Sequence, residues 1–209
     1  MSVRIKICGI TRSEDALAAA ELGADALGFV FYPRSPRYLA PEAAANIIAG
    51  LPSFVTTVGV FADSPLEEVR RVAGLAGLDR VQLSGSESPE YCRSLGLRWI
   101  KAFRLAGRDD LNKIPAYGEC PDILLDSYVK GVAGGSGAKF DWSWAAEAGK
   151  YGRVILAGGL DPDNVALAIR TAGPFGVDVS SGVESAPGIK NPERMARFIR
   201  AAHGAGREL

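Results

Sequence analysis

Two side chains in this sequence are placed for proton transfer, and each ends a run of mainly apolar residues. Cys8 ends the predicted strand Val3–Cys8, and Asp126 ends the predicted strand Ile123–Asp126. A thiolate is a competent base when its pKa is lowered, and a carboxyl group at the edge of a dry region has a raised pKa that suits a general acid. The alternatives are a buried structural cysteine and an aspartate that caps a helix or makes a structural hydrogen bond. The glycine-rich segment Gly131–Gly137 follows Asp126, and a loop able to close there favours the catalytic interpretation.

Two glycine- and serine-rich turns favour a phosphate site. Gly158 and Gly159 follow one predicted strand, and Ser180, Ser181 and Gly182 follow the next. Glycines expose backbone N–H groups, serines add hydroxyl donors, and a helix N-terminus favours an anion. Ordinary turn chemistry is the alternative for each segment taken alone.

Arg37 is the candidate for binding a carboxylate. It follows Pro33 and Pro36, which stiffen the loop after the second predicted strand. A guanidinium group can hold a carboxylate through two hydrogen bonds, whereas many surface arginines are simply solvated.

The composition narrows the function classes. The chain has 24 Lys plus Arg and 24 Asp plus Glu, so no general field attracts nucleic acid or an anionic membrane. Its three cysteines lack both a disulfide pattern and metal-ligand spacing, and we expect no metal, no membrane partner and a cytoplasmic location.

The one histidine, His203, lies near the C-terminus, so acid and base roles fall to other side chains. We expect His203 at the surface, Cys92 and Cys120 in structural positions, and Trp142 and Trp144 in packing.

These residues need a scaffold, and the chain repeats a strand–turn–helix pattern eight times. The other predicted strands are Ala26–Phe31, Val55–Phe61, Arg80–Leu83, Trp99–Phe103, Arg153–Ala157 and Gly176–Val179. Strand–helix alternation predicts parallel strands, and eight units in 209 residues suit a (β/α)₈ barrel, with an open doubly wound sheet as the alternative. We expect one domain over residues 1–209. In such barrels the site lies at the C-terminal ends of the strands, where Cys8, Arg37, Asp126 and the two glycine- and serine-rich turns fall.

The starts of several helices are marked in the sequence. Ser64, Ser88, Asp161 and Asn191 each precede a proline, which predicts a capping residue before the first helical position. Thr11 with Glu14, and Ser64 with Glu67, fit the capping box.

The motifs resemble those of phosphoribosylanthranilate isomerases from Lys6 to Glu184. The matching segments are Lys6–Thr11, Gly28–Phe31, Ser35–Arg37, Val58–Phe61, Val81–Leu83, Leu124–Ser127, Gly134–Gly137, Phe140–Trp142, Ala157–Leu160 and Asp178–Glu184. The resemblance implies a cofactor-free Amadori rearrangement in tryptophan biosynthesis. Asp126 would be the acid and Cys8 the base.

The same resemblance implies roles in substrate binding. Arg37 would hold the anthranilate carboxylate, and Asp178 would face the substrate. The phosphate would be held by the two turns, at Gly158, Gly159, Ser181 and Gly182. The family occurs as monomers and homodimers, and the sequence leaves both open.

One position departs from the family pattern. The family usually has histidine after Gln-Leu, where this chain has Ser84. A serine does not titrate near pH 7, but the proposed acid and base are intact, so we expect activity to survive. Ser84→His should change KM more than kcat, and a large gain in kcat would contradict this.

Two other functions remain open at this point. One is a related phosphosugar isomerase of histidine synthesis, against which stand Cys8 in place of aspartate and the lack of a half-length repeat. The other is a non-catalytic barrel that binds phosphosugars, against which stands the retention of Cys8, Arg37 and Asp126.

Overall fold

Eight parallel strands close into a barrel in the computed structural model, which describes residues 3–118, 122–126 and 141–206. The strands are β1 Arg4–Cys8, β2 Ala26–Val30, β3 Thr56–Phe61, β4 Arg80–Leu83, β5 Trp99–Arg104, β6 Asp122–Asp126, β7 Arg153–Ala157 and β8 Gly176–Val179. Each pairs with the next, and β8 returns to β1 with Ile5 opposite Val177. The predicted barrel is confirmed, and the open sheet is wrong.

Helices cover the outside of the barrel. They are α1 Ser13–Glu21, α2 Pro41–Ala49, α3 Leu66–Ala76, α4 Pro89–Ser94, α5 Ser143–Ala148, α6 Val165–Ala172 and α7 Pro192–Gly206. Between β5 and β6 the expected α-helix is instead the 3₁₀ helix Arg108–Tyr117, which contains Pro115. A proline inside a helix removes a donor and disfavours a regular α-helix. A short hairpin of β9 Glu184–Ala186 and β10 Ile189–Lys190 was not predicted.

The marked helix starts are confirmed only in part. Ser88 accepts a hydrogen bond from the Tyr91 N–H at 3.2 Å, and Asn191 accepts one from the Arg194 N–H at 2.9 Å. Asp161 accepts bonds from the two N–H groups just before α6.

Two predicted capping boxes are wrong. The hydroxyl group of Thr11 donates to the Gly188 carbonyl at 2.5 Å, so it ties α1 to the hairpin rather than capping α1. Helix α3 begins one residue after Pro65, and no side chain caps it.

Alternation along each strand sorts side chains between the barrel interior and the helix layer. In β1, Ile5 and Ile7 pack in the main core under the helices, which leaves Lys6 and Cys8 on the inner face. The interior has an apolar layer formed by Val58, Ile100, Leu124, Ile155 and Ala157. The interior therefore combines an apolar layer with the polar end positions of the strands.

Candidate active site

The predicted acid and base both lie at the C-terminal mouth of the barrel. Cys8 ends β1 and Asp126 ends β6, three strands away around the closed sheet. Cys8 is 8% exposed, and the side chain of Asp126 is 28% exposed. The Arg104 Nε lies 4.0 Å from an Asp126 carboxylate oxygen, so a cation stands beside the proposed acid. The two groups face one mouth from different sides, as a substrate between them requires.

Burial dominates the environment of Cys8. It raises the pKa of the Cys8 thiol above its ordinary value of 9.0, and Asp178 raises it further, whereas the ammonium groups of Lys6 and Lys190 oppose the rise. The thiol is therefore protonated in the resting protein at neutral pH. A base role requires the thiolate, so the cations near Cys8 matter to the chemistry.

A buried polar network lies directly below Cys8, and sequence reasoning missed most of it. The Lys6 ammonium donates to Asp178 at 2.9 Å and to Gln82 at 3.0 Å, and Gln82 in turn donates to the Ser84 hydroxyl at 3.1 Å. Asp178, predicted to face the substrate, is thus also the ion-pair partner of Lys6. The one available signal was a lysine two residues before Cys8 in an apolar strand, which places both side chains on the same face.

Arg37 reaches the mouth, but its guanidinium group is already engaged. Its Nε and Nη2 donate to the two carboxylate oxygens of Glu184 at 2.8 and 2.6 Å. Hydrogen bonds to Glu184 raise the pKa of Arg37, so the group stays cationic. The expected two-bond clamp on a substrate carboxylate therefore cannot use this edge of the guanidinium while Glu184 holds it.

Glu184 also joins Arg37 to Lys190, which is fully buried on the hairpin. The Lys190 ammonium donates to Glu184 at 2.7 Å and to the backbone carbonyl of Cys8 at 2.5 Å. Hydrogen bonds from both cations lower the pKa of Glu184 despite its burial. Sequence reasoning missed Glu184 and Lys190 because their partners are distant in the chain.

The two turns predicted for phosphate binding meet beyond β7 and β8. Gly158 and Gly159 have φ angles of 83° and 65°, which L side chains adopt only with strain. A Cβ on Gly182 would lie 2.0 Å from the Leu160 carbonyl oxygen, so only glycine fits there. Gly182 belongs to the 3₁₀ helix Ser181–Val183, which follows β8. The arrangement presents a loop and a helix start at one place, as the sequence predicted.

The remaining predicted residues divide between packing and segments outside the described residues. Trp142 and Trp144 are half-buried against the main core, and Cys92 is buried in it. His203 lies half-buried in the last turn of α7. Cys120, Ser127, Gly131–Gly137 and Phe140 lie outside the described residues. Among the described residues, no helix is long and apolar enough to cross a membrane, and no group of three or more His, Cys, Asp or Glu is placed to hold a metal.

Comparison with known proteins identifies the family. The family model described as N-(5'-phosphoribosyl)anthranilate (PRA) isomerase matches residues 5–201. An N-(5'-phosphoribosyl)anthranilate isomerase from Geobacter sp. (strain M21) is 54% identical over 95% of this chain and 97% of its own. One from Magnetococcus marinus is 49% identical over 99% of this chain and 100% of its own.

Solved structures agree with these sequence matches. The phosphoribosyl anthranilate isomerase of Thermotoga maritima has a TM-score of 0.91 and 47% identity, covering 97% of this chain and 99% of its own. A phosphoribosyl anthranilate isomerase solved with reduced 1-(o-carboxyphenylamino)-1-deoxyribulose 5-phosphate has a TM-score of 0.87 and 44% identity, with the same coverage. The predicted isomerase class is confirmed, and the chain belongs to the N-(5'-phosphoribosyl)anthranilate isomerase family.

Proposed function

We propose that the chain converts N-(5′-phosphoribosyl)anthranilate into 1-(2-carboxyphenylamino)-1-deoxyribulose 5-phosphate, with Asp126 as general acid and Cys8 as general base. The observation that carries this assignment is that Cys8 and Asp126 end two strands at the same mouth of a barrel of this family. The structure of a relative with a reduced form of that product supports the substrate class.

The proposed reaction consists of proton transfers. Asp126 gives its proton to the furanose ring oxygen, the C1′–O bond breaks, and the nitrogen lone pair forms a cationic Schiff base. The Cys8 thiolate then removes the C2′ proton, the C–H electron pair forms the C1′–C2′ double bond, and the C=N π pair returns to nitrogen to give an enolamine. Tautomerisation moves the hydroxyl proton to C1′ and yields the ketone. Asp126 donates one proton and Cys8 accepts another, so the reaction needs two separate groups at the mouth.

The phosphate end of the substrate would be held by the turns after β7 and β8. Gly158 and Gly159 present backbone N–H groups from a left-handed turn, and Ser181 and Gly182 begin the 3₁₀ helix. Barrels of this architecture commonly bind phosphate at these two loops. Holding the phosphate would fix the sugar between Cys8 and Asp126.

The anthranilate carboxylate would be held by Arg37 in the geometry set by Glu184. Because Nε and Nη2 of Arg37 bond to Glu184, the substrate carboxylate would meet the Nη1 side of the guanidinium. Asp178 would face the substrate while Lys6 holds its Oδ1. In this arrangement the contact of Arg37 with the substrate depends on Glu184, and that of Asp178 depends on Lys6.

The test of the reaction uses two substrates. Freshly generated phosphoribosylanthranilate is fluorescent, so its consumption by the purified protein can be followed directly, with the product identified by mass spectrometry. The histidine-pathway ribotide is the comparison. We expect turnover of the first and at least about a thousandfold lower kcat/KM for the second. Turnover of the second alone would support the related isomerase, and binding of a product analogue without turnover would support a non-catalytic barrel.

We further propose that the protein forms a homodimer rather than a monomer. The phosphoribosylanthranilate isomerase of Thermotoga maritima is described as dimeric in a structure of monomers generated from it. In this chain Phe54 is 99% exposed and lines a cavity of about 270 Å³ at the N-terminal end of the barrel. Phe175, which is 41% exposed, lines the same cavity, and an exposed cluster of apolar side chains favours association through this face. Light scattering should give a dimer for the wild type and a monomer for Phe54→Glu; a monomeric wild type would contradict the proposal.

A cytoplasmic location is also proposed. Cys8 and Cys92 are free thiols, which fits a reducing compartment. The expected lack of a nucleic-acid partner rests on the neutral charge of the chain and stays a prediction.

A further inference from the structure

Lys6 is a buried cation in the barrel interior that the proposed steps leave without a task. It is 4% exposed, and its ammonium bonds to Asp178 at 2.9 Å and to Gln82 at 3.0 Å. Removing an ammonium group from water is costly, and an apolar side chain of similar size would fill the space at lower cost. A buried lysine at this position therefore suggests a role in function rather than in stability.

Lys6 lies beside the thiol of Cys8. The two residues alternate onto the same inner face of β1, and the residue opposite Cys8 on β2 is Gly28. A Cβ on Gly28 would lie 2.8 Å from the Cys8 Sγ and 3.1 Å from the Lys6 Cε. The space left by the missing side chain of Gly28 thus lets the lysine stem lie close to the sulfur, and the charge of Lys6 acts on the Cys8 thiol.

The charges around Cys8 are predominantly positive. Lys6 on β1, Lys190 on β10 and Arg37 after β2 interact electrostatically with the thiol, and Asp178 on β8 is the anion among them. Lys190 and Arg37 are both paired with the carboxylate of Glu184, which offsets their charge. Lys6 has the largest opposing effect on the burial-raised pKa of Cys8.

We propose that Lys6 is a positioning residue that stabilises the Cys8 thiolate, and that Asp178 and Gln82 fix the ammonium against the sulfur. This inference rests on the proposed base role of Cys8. Lys6 stays protonated throughout and exchanges no proton with the substrate. Its contribution is a fixed positive charge in a site of low dielectric, where charge interactions are strong.

The test measures the thiol directly and does not depend on turnover. Alkylation of Cys8 by iodoacetamide is followed against pH on its own peptide by mass spectrometry, since only the thiolate reacts. An opposite charge at this range shifts a pKa by about 1–3 units, so Lys6→Met should move the midpoint upward by about one pH unit or more. The thiolate fraction at pH 7, and with it kcat, should fall about tenfold or more, with a smaller change in KM, and the thiolate fraction should recover at higher pH.

Lys101→Met is the matched control. Lys101 is 2% exposed and pairs with Glu87 at 2.9 Å, but it belongs to β5 and bonds to the loop after β4. We expect it to lower the melting temperature as Lys6→Met does and to leave the Cys8 midpoint unchanged. An equal shift in both variants would mean that the midpoint reports loosening of the barrel and would overturn the proposal.

A second variant covers the case in which Lys6→Met does not fold because Asp178 is left buried and unpaired. Lys6→Met/Asp178→Asn removes both charges. Since Asp178 raises the pKa of Cys8 and Lys6 lowers it more strongly, the midpoint should lie between those of the wild type and Lys6→Met. A wild-type midpoint in the folded double variant would also overturn the proposal. If the wild type proves inactive, the proposed function fails, while the alkylation result still decides the role of Lys6.

Discussion

The two ends of the barrel use charged residues in different ways. At the C-terminal mouth the pairs Lys6–Asp178 and Glu184–Lys190 are buried, and both reach Cys8. At the N-terminal end the charged residues sit at strand starts, where Asp122 accepts bonds from Arg80 at 3.0 Å and Arg153 at 2.8 Å.

The difference lies in the solvent contact of the cations, since the carboxylates of Asp122 and Glu184 are both buried. The Arg153 side chain is 49% exposed at the N-terminal end, whereas Lys190 is completely buried near the mouth. A cation that still reaches water costs less desolvation free energy than a fully buried one, whose cost other interactions must offset. One scaffold thus carries strand-start ion pairs at one end and buried charges placed for chemistry at the other. Substitutions of charged residues at the two ends, and of a glycine at the phosphate turn, test this division of roles.

Glu184→Gln should cause the largest change. It leaves the buried Lys190 ammonium and the Arg37 guanidinium without their anion, and breaking a buried pair costs about 3–5 kcal/mol. We expect a lower free energy of unfolding and a fall in kcat/KM of about a hundredfold, because Arg37 loses its partner and Lys190, which donates to the Cys8 carbonyl, loses the anion that fixes it. Urea unfolding and steady-state kinetics measure the two effects. Unchanged kinetics in the folded variant would show that this network serves stability alone.

The pH dependence should follow the thiol. Because burial raises the pKa of Cys8, the reactive thiolate is a minority near neutral pH and grows as pH rises. We expect the rate at which iodoacetamide alkylates Cys8 to rise about tenfold per pH unit through the neutral range and to level off only above the ordinary thiol value. A flat alkylation profile between pH 6 and pH 8, measured with the stability of the protein checked at each pH, would contradict a Cys8 thiol that is protonated at neutral pH.

Gly159→Ala should have a moderate effect at the phosphate turn. Gly159 has a φ of 65° with open space around its Cβ position, so the change costs backbone strain of about 1–3 kcal/mol without a clash. We expect KM to rise about tenfold with a small change in kcat. Gly173→Ala is the control, since Gly173 has a φ of 53° and similar open space at the end of α6. An equal rise in KM in both variants would argue against a phosphate role.

Asp122→Asn should have the smallest effect on activity. It weakens the contacts to Arg80 and Arg153 at the N-terminal end, where both arginines still reach water. We expect a loss of about 1–2 kcal/mol in the free energy of unfolding and wild-type values of kcat and KM. A clear loss of kcat in a folded variant would break the division between the two ends.

The sequence predicted the scaffold well because the strands are apolar runs. Each predicted strand agrees with the structure to within one residue at either end. The connection before β6 differed because Pro115 favours a 3₁₀ helix, and Thr11 differed because its hydroxyl has a partner in the hairpin.

The sequence predicted mainly those site residues that stand at the end of a strand or in the loop after it. Cys8, Asp126 and Gly159 stand at strand ends, so the barrel architecture placed them at the mouth. Lys6, Glu184 and Lys190 are charged residues whose burial depends on partners far away in the chain. Arg37 and Glu184 are 147 residues apart, and no local pattern indicates that pair.

The most direct test of the account compares the wild type with Cys8→Ser and Asp126→Asn in the fluorescence assay. Both variants keep the size of the side chain and remove its acid–base function. Each variant should stay folded, as measured by circular dichroism, and should lose about 10²–10⁴-fold in kcat. Retention of wild-type kcat by either folded variant would contradict the role assigned to that residue.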